Sequence, residues 1–529
     1  MNLFENLRTR AVRAVQSRLF GDAPVSPLPA EPLAGRLGPS AFSPGAVPGG
    51  GESPAAESRH AHRHDWFAHL AARHAAGEAG AAERAIEGLE SWLRHDRPGQ
   101  GAAWAHPTDL TARLVHQAAG FSWLGSAAPP ALIALAAGSA AWHLRHLRAR
   151  LPLGTGDEHR RVAHHAGVLI GGLTFPAIPE AREAWSEAAS LLGPALDELT
   201  FGDGSDRSGA PAFLAQSLWL AAIAHAVARA NGVALPTRAL SSWSRGVRFL
   251  DRIANENGSI PPLGEAPFGE ILPLPGVPLA ASLRGLAIRW GLDAPEPVAG
   301  DARQRWFVHD EPPPSRSAPA AAQTGAAGAR TWASWTFAED GLAVAVMPAR
   351  GEPLRVILAA NARSRGRLAH DAPLQLLVDV GSRPLLADPG PGRPAREEHN
   401  GLVARGLVGQ ESRLTIARVD GKKARLEGGV ALSGGARWAR EVLLNQQRVR
   451  VTDRLEGVGA TVALRWTLGP EWVIEGAEGR YTLRSGPFTV VVELPAALSW
   501  RLEAGTAPAL VGSGSIAAGT ELLSSFEVR

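Results

Sequence analysis

The feature that most constrains this chain is a change of hydrophobic period part-way along it. From His64 to about residue 292, apolar residues recur at helical spacing in segments such as AAERAIEGLESWLRHD, EHRRVAHHAGVLIGGLTFP and APAFLAQSLWLAAIAHAVARANG, each broken by Gly or Pro. Beyond residue 330 the pattern alternates with a period of two in LRVILAAN, LQLLVDV, TVALRWTLGP and FTVVVELP, with Gly or Asp-Gly turns between runs. A stripe that repeats every 3.6 residues and one that repeats every two bury different faces, so the two halves need different cores. The expectation is an all-α domain over residues 59–292 and an antiparallel β-sandwich over residues 330–529, joined by a proline- and alanine-rich linker at 293–329.

Before the first helix, residues 21–58 are rich in Pro, Gly and Ser and read as an extended connector. Residues 1–20, MNLFENLRTRAVRAVQSRLF, place Leu3, Leu7, Val15 and Leu19 at helical spacing among arginines. Such a basic amphipathic helix packs on its own protein or a partner, or lies peripherally on an anionic membrane. It lacks the uninterrupted apolar core and cleavage site of a signal peptide, which defaults the chain to the cytoplasm. No uninterrupted apolar run reaches the length of a spanning helix, so no transmembrane segment is expected.

Composition removes several classes of chemistry. There is no cysteine, which excludes disulfides, thiolate metal sites and cysteine nucleophiles. Lys plus Arg number 54 against 51 for Asp plus Glu, a net charge of +3 that gives no reason to invoke a nucleic-acid partner. The pI near 10 reflects basic groups that are nearly all arginine, with Lys422 and Lys423 the only lysines, together with a single tyrosine.

The chemistry-bearing residues concentrate in Gly366 to Gly406, GRLAHDAPLQLLVDVGSRPLLADPGPGRPAREEHNGLVARG. LQLLVDV and RPLLAD flank Gly381-Ser382 and predict a tight hairpin that carries His370 and Asp388 toward each other. The turn PGPGRP then leads to His399 and Asn400, so a second imidazole can close on the same place.

This stretch, HDAPLQLLVDVGSRPLLADPG followed by EEHNGLVARG, resembles the C-terminal signature of the heparinase II/III-like polysaccharide lyases: an HxHxD-like start, a strand, a glycine turn, a DPG and an HN pair. WAHPTDLTARLVHQAAGFSWL, DRIANENGSIPPLGEAPFGEILPL and ARWAREVLLNQQRVRVTDRLEG resemble further family segments in the same order. The resemblance implies an α/α toroid followed by a β-sandwich, a periplasmic or envelope location, and cleavage of an acidic polysaccharide or oligosaccharide by β-elimination. As in the zinc-containing members, it also implies a zinc ion held by His370, Asp388 and His399, the alternative being a hydrogen-bonded polar knot of the three without metal.

The chain departs from the family where proton transfer is expected. Leu368 stands at the first histidine of the HxH pair, and Ala210, Pro211 and Ala212 stand where the family carries Asn, Tyr and His. The single tyrosine, Tyr481, lies in a late strand. The remaining catalytic candidates are His370, His399 and the helical His164, with Arg207, Asn400, Arg413 and Arg113 as candidate substrate-binding groups, the arginines because a guanidinium can grip a sugar carboxylate with two bonds. Two functions stay open: a lyase, or a catalytically silent relative that binds a glycan or a partner in surface-polysaccharide handling. A glycoside hydrolase would need two paired carboxylates; Asp203, Asp251 and Glu265 are candidates that nothing in the sequence pairs.

Overall fold

The computed structural model describes residues 62–95, 98, 104, 106–151, 157–255, 257–267, 269–272, 278–290, 333–360, 368, 372–389, 399–420, 423–505 and 507–529. The amphipathic helix expected over residues 1–20, both linkers and His370 lie outside them. The described chain forms helices first and antiparallel strands afterwards, in two compact units. One unit is built from residues up to Thr200 with Leu214–Arg248 and the segment from Pro267; the other comprises Phe201–Phe213, Phe249–Ala266 and the strands.

Nine helices run through the described residues: α1 Asp65–Ala75, α2 Ala81–His95, α3 Pro107–Leu124, α4 Pro130–Ala149, α5 Glu158–Thr174, α6 Ala181–Leu199, α7 Pro211–Ala230, α8 Thr237–Ile253 and α9 Leu279–Arg289. Their burial separates two kinds. Helices α3, α5 and α7 are buried on nearly every side, whereas α2 and α6 bury one stripe of alanines and leucines and expose the charged remainder. That is the expected arrangement of an inner and an outer helical layer. Pro107 and Pro130 sit in the first turns of α3 and α4, where a missing N–H goes unnoticed. Small residues set the spacing: a Cβ on Gly167 of α5 would lie 2.4 Å from Thr111 Oγ1 of α3, so only glycine lets these helices approach as they do.

Helix α7 is, by length and composition alone, apolar enough to cross a membrane, which the sequence reading did not anticipate. The same test is passed by core helices, and 89% of its apolar window is buried inside the protein. Trp219 on α7 and Trp243 on α8 are almost fully buried and donate their indole N–H groups to Ile271 and Leu218 carbonyls, both at 2.8 Å.

The strands form three antiparallel sheets. The first takes β1 Ala333–Phe337, β2 Leu342–Ala349, β3 Glu352–Ala359, β4 Gln375–Val380 and β5 Arg383–Leu386 in chain order. The second, eight strands wide, comprises β7 Gly409–Asp420, β8 Lys423–Leu432, β9 Arg437–Asn445, β10 Arg448–Glu456, β12 Val473–Ala477, β13 Arg480–Ser485, β14 Phe488–Glu493 and β17 Glu521–Val528. The third holds β6 Gly401–Ala404, β11 Ala460–Thr467, β15 Ser499–Glu503 and β16 Ala509–Ile516. Strands β9 and β10 bury every second residue, as their sequences require. The second and third sheets meet face to face: Trp466 of β11 packs edge-on against Phe526 of β17 at 5.6 Å between ring centres, and its Nε1 donates to Ser524 Oγ at 3.2 Å.

Candidate functional site

The hairpin predicted around Gly381-Ser382 forms, with β4 and β5 paired antiparallel and Gly381 at φ +63 making the turn. Because β5 returns alongside β4, Asp388, just past its end, meets Gln375 at the start of β4, and Gln375 Nε2 donates to Asp388 Oδ2. His399 arrives from the following turn with Nδ1 2.8 Å from the same oxygen. Both partners of this imidazole–carboxylate pair are buried, the His399 side chain at 2% exposure and the Asp388 side chain at 0%.

Asn400 locks the next strand in place. Its Nδ2 donates to the carbonyls of Leu376 on β4 at 3.0 Å and Ala387 just after β5 at 2.8 Å, and its Oδ1 accepts from Thr467 N of β11 at 2.5 Å. Below it, Arg440 of β9 donates through Nη1 to the carbonyls of Leu374 (2.8 Å) and Asn400 (3.0 Å) and through Nε and Nη2 to Asp453. Trp438 Nε1 adds a third donor to Asp453, at 2.8 Å. The sequence reading missed Gln375, Arg440 and Asp453. A signal existed for two of them, since Arg440 and Asp453 occupy the inward phase of strands whose other inward residues are Trp438, Val442, Val451 and Leu455.

A pocket of about 440 Å³ opens onto Asp388, with Asn255, Ser259, Arg355, Asp379 and Glu471 among its polar lining. Arg355 and Asp379 form a buried ion pair across β3 and β4, Nε to Oδ2 at 2.8 Å, and Arg355 also donates to the Ile253 carbonyl. Burial pushes the Asp379 carboxyl up, and Arg355 opposes that shift. Glu265 N donates to the Leu368 carbonyl at 2.8 Å, tying the GSIPPLGE loop to the backbone at Leu368. Gly264, at φ +69, has Gly209 O only 2.4 Å from where a Cβ would sit, so the same loop also abuts the turn before α7. That turn is organised by Asp206, whose carboxylate accepts from Ser208 N, Ser208 Oγ and Ala210 N at 3.1, 2.7 and 2.6 Å.

The other candidates are placed elsewhere. Arg207 is exposed, with its guanidinium 4.4 Å from the Phe201 ring centre, and Arg413 is exposed on β7. Arg113 is fully buried between the rings of Trp92 (5.2 Å) and Trp104 (4.9 Å). Around it the helical unit gathers a polar cluster: Arg63 Nε binds Asp109 at 2.7 Å, and His116 donates from Nδ1 to Arg63 O at 2.8 Å and accepts at Nε2 from Leu272 N at 3.2 Å. His64 and His143, also fully buried, are held far below the ordinary histidine range, first by desolvation and then by the Arg113 charge. His164 lies on α5 in the same unit, 3% exposed. Among the described residues no three His, Asp or Glu side chains gather as a metal-binding group, and His370, the third donor of the expected set, is not among them.

By sequence, no protein-family model and no curated protein matches this chain. By structure, it is similar to heparinase III, with a TM-score of 0.64 at 13% identity over 88% of this chain and 76% of that one. It is similar also to the heparinase III BT4657 gene product, with a TM-score of 0.61 at 14% identity over 88% of this chain and 77% of the other. The heparan sulfate lyase HepC of Pedobacter heparinus, in a mutant form, gives a TM-score of 0.60 at 15% identity over 90% and 78% of the two chains. The helical toroid followed by a β-sandwich, expected from the order of motifs, is therefore the fold of this chain.

Proposed function

We propose that this chain is a polysaccharide lyase that cleaves an acidic, uronate-containing glycan by β-elimination. The observation that carries the proposal is the similarity to heparinase III across 88% of the chain, supported by the Asp388–His399 pair that the hairpin assembles. The reaction needs a group to neutralise the sugar carboxylate, a base for the C5 proton and an acid for the departing oxygen. Ala210, Pro211, Ala212 and Leu368 offer none of these, and Tyr481 is buried on β13 at 4% exposure. Proton transfer then falls to His370 or His399, with His164 a third candidate. The exposed Arg207 and Arg413 are candidates to meet the carboxylates of the glycan, whereas Asn400 and Arg113, both fully buried, are not placed to touch it.

The same centre suits a zinc ion. Donor atoms on a tetrahedral zinc lie about 3.3 Å apart, given bonds of about 2.0–2.1 Å. His399 Nδ1 and Asp388 Oδ2, at 2.8 Å, need only a small opening to share one. With His370 they would supply the two imidazoles and one carboxylate that leave a fourth position open. A bound zinc would contribute Lewis acidity there, while Gln375 and Asn400 orient the carboxylate and the hairpin.

One observation favours the second reading, a catalytically silent relative that binds glycan. His399, Asp388 and Asn400 are all buried, and buried polar groups that bond one another and the backbone serve structure first. The deciding experiment incubates the full chain with a panel of acidic polysaccharides and follows the ultraviolet absorbance of unsaturated uronate ends. Release that is lost in His370→Ala or His399→Ala supports the lyase. Glycan binding without release of such ends on any substrate supports the silent relative.

A further inference from the structure

The pocket of about 440 Å³ beside the β4–β5 hairpin lies wholly within the unit that holds the strands, and its size falls in the range of small-molecule sites. Alternation along the strands decides what faces it. Leu354, Val356 and Leu358 of β3 and Leu376, Val378 and Val380 of β4 enter the common core of the sheets, so Arg355, Leu377 and Asp379 stand on the opposite face, where the pocket forms. The β4–β5 pairing shifts register between Val378 and Asp379, an irregularity of the kind that re-aims a side chain. Asp388 also lines the pocket, but its side chain is fully buried against His399 and Gln375, so the polar atoms within a ligand's reach belong to other residues.

Those atoms are carboxylate acceptors and amide donors held in fixed positions. Arg355 donates twice to Asp379, both times to Oδ2, and its Nη1 binds the Ile253 carbonyl. The Asp379 side chain keeps 12% of its surface open, which leaves Oδ1 to accept from a ligand. Glu471 is exposed and forms no ion pair with any described residue. It is held next to β5 because the buried Trp472 donates from Nε1 to the Pro384 carbonyl at 2.7 Å. From the loop after α8, Ser259 N donates to Asn255 Oδ1 at 2.8 Å and to Asn257 Oδ1 at 3.1 Å. A backbone N–H can only donate, so both amide oxygens are engaged and two Nδ2 groups remain as donors on residues that line the pocket. Pro262, Pro384 and Pro470 add aliphatic surface to the same lining.

We infer that this pocket is a subsite for an uncharged sugar ring of the glycan, whose hydroxyls bond Asp379 Oδ1, Glu471 and the amides of Asn255 and Asn257 while its C–H face packs on the prolines. A hydroxyl both donates and accepts, so a ring of them matches a lining that mixes carboxylates with amide donors. Arg355, the cation among the described lining residues, is matched by Asp379, and Glu471 leaves the lining negative, so a carboxylate or sulfate would be repelled. The inference rests on the reading of the chain as a glycan-binding protein and deepens it: the uronate that an elimination requires sits outside this pocket, and an uncharged neighbour in the polymer sits inside it. It uses none of His399, Asp388 or Asn400, and it applies to a lyase and to a silent relative alike.

The test titrates the full chain with methyl glucoside, methyl N-acetylglucosaminide and methyl glucuronide by ligand-detected NMR. At least one neutral glycoside should bind saturably, with the glucuronide about tenfold weaker or more. Glu471→Ala should weaken the neutral glycoside about tenfold, as for a hydrogen bond to a charged group, and Asn257→Ala about three- to tenfold. Both residues are exposed, so circular dichroism should show the fold retained in each variant. Glu471→Lys should narrow the gap between glucuronide and neutral glycoside. Absence of saturable neutral-glycoside binding overturns the inference, as does glucuronide binding as tightly as the neutral sugars, or neutral binding that survives both Glu471→Ala and Asn257→Ala unchanged. Release of unsaturated uronate ends without neutral-glycoside binding removes the subsite and leaves the lyase. Neutral-glycoside binding that responds to Glu471→Ala, without such release, leaves the subsite and removes the lyase.

Discussion

Arg440 and Asp453 face each other across β9 and β10 in a two-bond pair, Nε to Oδ1 at 2.8 Å and Nη2 to Oδ2 at 2.9 Å, with neither side chain exposed. The guanidinium also lies between the Trp438 and Trp466 rings, 5.1 and 4.8 Å from their centres. Removing one member of such a pair strands the other charge in a dry interior, at a cost of about 3–5 kcal/mol. Arg440→Met should lower stability by that amount in denaturant unfolding. The double variant Arg440→Met with Asp453→Leu should recover part of it, because the carbonyls of Leu374 and Asn400 remain without their donor. A single variant within about 1 kcal/mol of wild type would show that the pair is dispensable.

Asn400 offers a second test because one side chain holds three backbone groups, on β4, after β5 and on β11. A single unmet buried group costs about 1–3 kcal/mol. Asn400→Ala should therefore lose at least about 3 kcal/mol, and the Trp466 region of β11 should show faster amide exchange. Loss of stability without a change in exchange near Thr467 would place the role of Asn400 elsewhere.

Arg440 and Asp453 mark where the sequence stopped being legible. Helical and strand periods identify the elements because burial on one face leaves a local pattern, and the Gly381-Ser382 turn is local as well. Asp388 and His399 meet, while His370, which the hairpin was expected to bring to Asp388, lies outside the described residues. The division into three sheets is not local: β6 pairs with β11 and β10 with β17, across long stretches of chain, and nothing in the period of a strand names its partner. Arg440 and Asp453 looked like ordinary charges in a chain with many arginines, and only their inward register on neighbouring strands sets them apart. Arg113 was read as a group for sugar carboxylates from its charge alone, whereas a helix buried on nearly every side, as α3 is, buries its polar residues too.

Buried histidines give the chain a pH dependence with a definite sign. His159, His165 and His225 are each held down to about 4 by burial, against an ordinary value of 6.5. Below pH 6.5 the unfolded chain takes up protons at these positions and the folded chain does not, so their contribution is intact above 6.5 and is lost as pH falls toward about 4. Each group contributes a slope of up to about 1.4 kcal/mol per pH unit within that window. His225→Gln should flatten the stability–pH curve between pH 6.5 and 4 by up to one such slope, measured from urea midpoints. A curve parallel to wild type would contradict the assignment.

The zinc proposal is tested on the metal itself rather than on turnover. Two donors already share one place, since His399 Nδ1 and Asp388 Oδ2 stand 2.8 Å apart, and Gln375 donates to that same carboxylate oxygen. If the centre binds zinc, the full chain dialysed against zinc and then against buffer should retain about one ion per chain by elemental analysis. His399→Ala and Asp388→Ala should each abolish retention, because two remaining donors hold zinc poorly. Gln375→Leu keeps all the ligands and removes only a group that orients one of them, so it should weaken affinity about 10- to 100-fold in competition with a chelator. The stability of each variant, followed without zinc, separates loss of a ligand from loss of the fold. Wild-type protein that retains no stoichiometric zinc removes the metal, and leaves His399, Asp388 and Gln375 as a hydrogen-bonded knot that fastens the β4–β5 hairpin to β6.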